Sequence, residues 1–312
     1  MFQLIRGSRG VRQGNPLSPL LFCLAEEVLS KAIHQLVLTK KLLPISSPRG
    51  GLAPTHLLYA DDVLIFCRGS MFCINNVLDL LDKYGLNSGQ IVNRAKSKVL
   101  LGKAALHRSQ QILVATGMQS ESFPFTYLGV PLFKGKPKRK FLQPIADKIR
   151  SKLEGWQGHF LSIAGRIQLV QSVIIPMLLH TMAVYIWPSS LLKEMQQWIR
   201  NFIWASSTSK RKLVFINWDL VCSPKSEGGL GLRNLKAINQ AAILKLGWFI
   251  ITSDSPCALF LRCRFKISSM VSLASYKSSS VWGGLKDALQ VLSFHGQWII
   301  GDGKTVNFWL GK

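Results

Sequence analysis

Apolar positions recur at helical spacing behind Pro16, Ser18 and Pro19, at Leu20, Leu21, Leu24, Val28 and Leu29. That spacing and its proline start predict an amphipathic helix over Pro19–Leu38. Lys40 to Pro54 is rich in Pro, Gly and Ser and reads as a loop. Two short apolar runs, Thr55–Tyr59 and Val63–Cys67, flank Ala60-Asp61-Asp62 and read as a β-hairpin. Met71–Tyr84 has a helical pattern and Ser97–Leu101 looks like a strand. Phe125–Leu132 carries a strand, with Gly129 and Pro131 marking a turn. From Phe141 to about Ala205 the period is helical, broken at Pro188. Ser206–Lys212 reads as a linker and Asn234–Ile251 as a helix. The weakly patterned tail reads as a smaller helical extension with low order near its end. No internal repeat is visible. The expected class is α+β, with short antiparallel hairpins first and long helices after the basic run Lys134–Lys140.

Composition narrows the class of partner. Hydrophobic residues make up 48% and charged residues 17%, which excludes intrinsic disorder. The formal net charge is +24, so the positive excess lies on the surface and calls for a polyanion, with nucleic acid favoured. None of the six cysteines forms a C-x-x-C pair and no His follows at finger spacing, so a zinc site is not expected. The cysteines read as reduced residues of an intracellular protein, nuclear or cytoplasmic. The N-terminus has no secretory pattern. Leu169–Trp187 is mostly apolar, but Gln171, Ser172, Pro176, His180 and Thr181 interrupt it and Arg166 lies close by. It reads as a buried helix rather than a membrane span.

Asp61 and Asp62 are two of only 15 acidic residues, and they sit between LLY and VLIF. Unpaired carboxylates beside a hydrophobic hairpin are costly unless a cation neutralises them. Mg²⁺ takes oxygen ligands and keeps waters that substrate phosphates replace, and paired metals clamp an in-line phosphoryl transfer. A polar β-turn is the plain alternative.

The surrounding residues form a recognisable set. HLLYADDVLIF (His56 to Phe66) resembles the catalytic hairpin of reverse transcriptases. RGVRQGNPLSPLLF (Arg9 to Phe22), SGQIVNRAKS (Ser88 to Ser97) and YLGVPL (Tyr127 to Leu132) resemble further palm motifs, in the order found in non-LTR, LINE-type retrotransposons. LSIAGRIQLVQSVIIP (Leu161 to Pro176) and SPKSEGGLGLRNL (Ser223 to Leu235) resemble the downstream region of the plant members. A group II intron maturase fits that downstream region poorly. The resemblance implies an incomplete palm at 1–133, a helical thumb-like region at 134–205 and a C-terminal extension at 206–312.

The same resemblance implies roles. Asp61 and Asp62 would hold Mg²⁺ or Mn²⁺, and Lys96 would assist departure of pyrophosphate. Arg12, Gln13 and Gly14 would contain the incoming deoxynucleoside triphosphate and the template. Tyr127, Leu128 and Gly129 would position the primer end. Asn15 stands where members often carry Asp, and it caps a helix equally well. Lys96 also reads as a solvated lysine, and Tyr127–Pro131 as an ordinary strand and turn. Lys134, Lys136, Lys138, Arg139 and Lys140 read as a nuclear address, a solvated loop or a clamp on nucleic-acid phosphates. Lys148, Arg150 and Lys152 continue the charge. Trp156, Phe160, Trp198, Phe202 and Trp204 read either as helix-packing core or as surfaces on which bases stack.

The resemblance implies a third carboxylate on a strand upstream of the RQG segment, yet the first acids are Glu26 and Glu27 beyond it. The first metal-binding Asp and the fingers are expected to lie outside these residues. Two readings follow. One is an RNA-directed DNA polymerase, impaired or inactive alone, acting on an RNA template and a DNA primer. The other is a noncatalytic nucleic-acid-binding remnant. Neither involves a membrane.

Overall fold

The computed structural model describes residues 14–46, 53–156, 158–209, 216–267 and 279–296. Arg12, Gln13, the middle of the Lys40–Pro54 loop, the end of the Ser206–Lys212 linker and the extreme C-terminus lie outside them. The chain forms two compact units, Met1–Ser122 and Phe123–Lys312.

The first unit opens with α1 (Ser18–Leu38). Asn15 works one step ahead of the helix, its side-chain oxygen accepting from the Leu17 amide at 3.0 Å, with Pro19 in the first turn. β1 (His56–Tyr59) and β2 (Asp62–Ile65) pair antiparallel, as the apolar runs predict. α2 (Met71–Ser88) starts at Ser70, whose hydroxyl accepts from the Cys73 amide, and stops at left-handed Gly89. Leu29 and Ile33 of α1 meet Leu58, Val63 and Ile65 of the hairpin and Val77, Leu81 and Tyr84 of α2 in one apolar cluster.

The remainder of this unit departs from a hairpin-only expectation. β3 (Lys98–Leu100) is followed by a 3₁₀ turn (Lys103–Arg108), α3 (Ser109–Thr116) and β4 (Gln119–Glu121), and the two strands pair in parallel. β4 is polar throughout, so alternation does not announce it. The α3 crossover and the Lys98–Glu121 ion pair bring it to β3.

The second unit begins with the hairpin β5 (Phe125–Tyr127) and β6 (Val130–Leu132). Its turn is Leu128-Gly129. Pro131 lies within the strand opposite Thr126, which a two-stranded sheet tolerates because the missing N–H is not needed there. α4 (Arg139–Gly155) buries Leu142, Ala146, Ile149 and Leu153 along one stripe. α5 (Ile163–Leu169) continues through a π-turn (Val170–Ile174) into α6 (Ile175–Met182). Pro176, in the first turn of α6 just after the π-turn, cannot donate to the α ladder. This helical run is long and apolar enough to cross a membrane. Its buried residues Ile167, Val170, Ile174, Leu178 and Met182 form one core-facing stripe, the pattern of a packed helix.

α7 (Ser189–Ala205) lays Leu191, Met195, Ile199, Phe202 and Ile203 into the same core. Its C-terminal end is clamped by Arg166, which donates to the carbonyls of Ile203 at 2.5 Å and Leu161 at 3.1 Å. A short α8 (Trp218–Val221) leads into the SPKSEGGLGLRNL segment. Gly229 there approaches the Ser223 carbonyl so closely that a Cβ would sit 2.0 Å from its oxygen. α9 (Leu235–Thr252) lies where the sequence predicts a helix, and Asn234, expected as its first residue, caps it instead. α10 (Pro256–Phe265) and α11 (Trp282–His295) build a smaller core with Ile250, in which Phe265 stacks on Trp282 at 4.6 Å.

Candidate active hairpin and nucleic-acid interface

Tyr59 pairs with Asp62 as the last rung of β1–β2, leaving Ala60 and Asp61 as the two central residues of the turn. Ala60 has φ +49°, the left-handed value that primed hairpin turns require at this place. A non-glycine residue there carries strain on the order of 1–3 kcal/mol, a feature that concentrates at functional sites. Leu57, Tyr59 and Asp62 share the outward, exposed face, whereas Leu58 and Val63 face the core.

His56 anchors the hairpin to α1. Its Nε2 is hydrogen-bonded to Ser30 Oγ at 2.8 Å and its Nδ1 to Thr55 Oγ1 at 3.0 Å. Burial, and then the neighbouring His34, push its pKa below the usual histidine value.

Both carboxylates are exposed to solvent, which corrects the argument from buried charge. Water hydrates Asp61 and Asp62, so folding alone does not demand a cation there. Among the described residues no group of three or more His, Cys, Asp or Glu is placed to hold a metal ion. Glu26 is occupied elsewhere: one oxygen accepts from the Tyr84 hydroxyl at 3.4 Å and the other is buried. Two carboxylates on one turn do not by themselves meet the ligand needs of two Mg²⁺ ions.

Lys96 is exposed in the turn before β3, where its backbone amide bonds to Asn93 Oδ1 at 3.1 Å. Gly14, also in the first unit, has φ +84° and nothing within 4 Å of a notional Cβ, so its freedom is conformational rather than steric.

In the second unit Leu128 and Gly129 both have positive φ, +47° and +77°. The Leu128 carbonyl accepts from His180 Nε2 at 2.8 Å, and the Pro131 carbonyl from the Tyr185 hydroxyl at 3.0 Å. Sequence reasoning gave His180 and Tyr185 no role. The only signal was a polar residue interrupting an apolar run.

Lys134, Lys136, Lys138, Arg139 and Lys140 are all exposed, but they are not equivalent. Arg139 pairs with Glu194 on α7 and donates to Gln143 at 2.9 Å, so it serves the fold. Lys134 lies over the Phe123 ring at 5.0 Å and Lys140 over Phe141 at 5.1 Å. Arg150 sits over Trp198 at 5.7 Å and donates to Glu154, and Lys152 sits over Trp156 at 5.9 Å. Trp198 and Phe202 belong to the core, Trp156 and Trp204 pack against it, and Phe160 is 76% exposed. The aromatic series is therefore mostly packing.

Comparison with known proteins agrees with this placement of motifs. Residues 3–132 match the family described as reverse transcriptase (RNA-dependent DNA polymerase). An Arabidopsis thaliana protein named for ribonuclease H is 32% identical over 191 residues, 59% of this chain and 30% of that protein. An uncharacterized mitochondrial protein of the same plant is 32% identical over 126 residues, 39% of this chain and 82% of its own length. The retrovirus-related Pol polyprotein from type-2 retrotransposable element R2DM of Drosophila melanogaster is 24% identical over 275 residues, 81% of this chain and 24% of that protein. The chain thus spans well under half of the two long relatives. An α+β fold, a YADD hairpin on a strained turn and these matches lead to one conclusion: residues 3–132 belong to the reverse transcriptase family, and the chain is similar to proteins of retrotransposon origin.

Proposed function

We propose that these residues carry part of an RNA-directed DNA polymerase, which transfers deoxynucleotides to a DNA primer on an RNA template. The observation that carries this reading is the exposed Asp61-Asp62 pair at the end of a strained hairpin, inside the stretch that matches the family. Reverse transcriptases generally use divalent metal ions and act on RNA and DNA. Asp61 and Asp62 would supply two of the carboxylate ligands of a Mg²⁺ or Mn²⁺ ion, which would stabilise charge on the transferring phosphoryl group, with the remaining ligands coming from outside the described residues. Lys96 offsets charge on the departing pyrophosphate. Arg12, Gln13 and Gly14 border the incoming nucleotide and template. Tyr127, Leu128 and Gly129 meet the primer, and Lys134, Lys136, Lys138 and Lys140 contact phosphates. We place the protein away from membranes in a reducing intracellular setting, consistent with cysteines that form no disulfide.

A second reading, a noncatalytic nucleic-acid-binding remnant, is favoured by the short ligand count among the described residues. Primer extension by the purified chain with Mg²⁺ or Mn²⁺ separates the two. Extension that disappears in Asp61→Asn supports the polymerase. Tight binding of primer–template with no extension above background supports the remnant.

A further inference from the structure

The turn of β5–β6 holds a leucine where glycine or asparagine is usual. Leu128 at φ +47° is strained there. A contact from outside the turn helps to hold that conformation. His180 is placed to do so: its exposed imidazole donates from Nε2 to the Leu128 carbonyl at 2.8 Å, reaching across 52 residues of chain from α6. A single hydrogen bond of this kind is of the same order as the strain it opposes. Tyr185, 2% exposed, secures the following strand through the Pro131 carbonyl at 3.0 Å and packs against Phe133 at 4.8 Å. The base of the hairpin is thus fixed by the core, and its tip depends on one surface side chain. Leu128 itself remains 37% exposed at that tip.

We propose that His180 is a positioning residue, which holds the Leu128-Gly129 turn in the geometry that meets the primer 3′ end. This rests on the reading of the hairpin as a primer-contacting element. His180 touches no substrate. It acts through the Leu128 carbonyl.

The test uses the full chain and a DNA primer annealed to an RNA template, with a photoreactive thionucleotide at the primer 3′ end. Cross-links are mapped by mass spectrometry to the peptide containing Tyr127, Leu128 and Gly129. In His180→Ala the affinity should stay within about two-fold, because phosphate contacts dominate it, and the cross-link should fall several-fold. His180→Gln, whose amide N–H occupies the place of Nε2–H, should restore it. Melting temperatures of the variants should stay within a few degrees of the parent's, because only one exposed hydrogen bond is lost. An undiminished cross-link in His180→Ala overturns the positioning role alone. A parent chain that binds the duplex but gives no cross-link at this peptide overturns the primer reading together with the proposal.

Discussion

Tyr59 and Asp62 are Cα partners on the last rung of the β1–β2 ladder, which makes the adjacent carboxylates unequal. Asp62 belongs to a strand and shares the face of Tyr59. Asp61 is a central residue of the turn, next to the strained Ala60. Neither is held by burial.

Replacing either carboxylate should therefore leave the fold intact. Asp61→Asn and Asp62→Asn are expected to change stability by no more than about 0.5 kcal/mol, as for exposed positions generally. Mn²⁺ binding, followed by electron paramagnetic resonance, should be weak in the parent and weaker in each variant. A loss of stability of several kcal/mol would mean that the pair is structural.

The first unit should lose stability in mild acid through His56. Burial and His34 hold its folded pKa below 6.5, so the unfolded chain takes up the proton first. Stability is fully present above that value and declines as pH falls through the folded pKa. Urea unfolding on either side of the window should show the loss, and His56→Gln should flatten it. An unchanged pH profile in His56→Gln would remove His56 as the cause.

Asn239 should be among the most sensitive positions of the second unit. It is 1% exposed, donates to the Met182 and Tyr185 carbonyls at 2.8 Å each, and accepts from the Trp187 amide at 2.8 Å. Asn239→Ala leaves three buried backbone groups without that partner, each worth about 1–3 kcal/mol. Denaturant unfolding should register a loss of at least ~3 kcal/mol by the same reasoning. A loss below ~1 kcal/mol would mean that water replaces the side chain.

Duplex binding should weaken steeply with salt. Changing Lys134, Lys136, Lys138 and Lys140 to Gln should reduce the log–log slope by roughly 0.7–0.9 for each phosphate that is no longer neutralised. Arg139→Gln should also disturb packing, because its guanidinium is paired with Glu194. A slope unaffected by the four substitutions would place the phosphate-binding surface elsewhere.

Local pattern was enough for much of this protein. The Pro19 start and apolar spacing mark α1, the flanking runs mark β1 and β2 around Asp61-Asp62, and Asn234 marks the start of α9. These signals are local because capping, periodicity and turn chemistry act over a few residues. What sequence left open depends on contacts between distant residues. The polar strand β4 exists because a helical crossover returns it beside β3. Arg139 differs from its four lysine neighbours because α7 brings Glu194 to it across 55 residues. The carbonyl of left-handed Leu128 has a partner because α6 delivers His180 to it. Whether a side chain is free to act or already committed depends on which residues packing places next to it, and only the tertiary structure decided that.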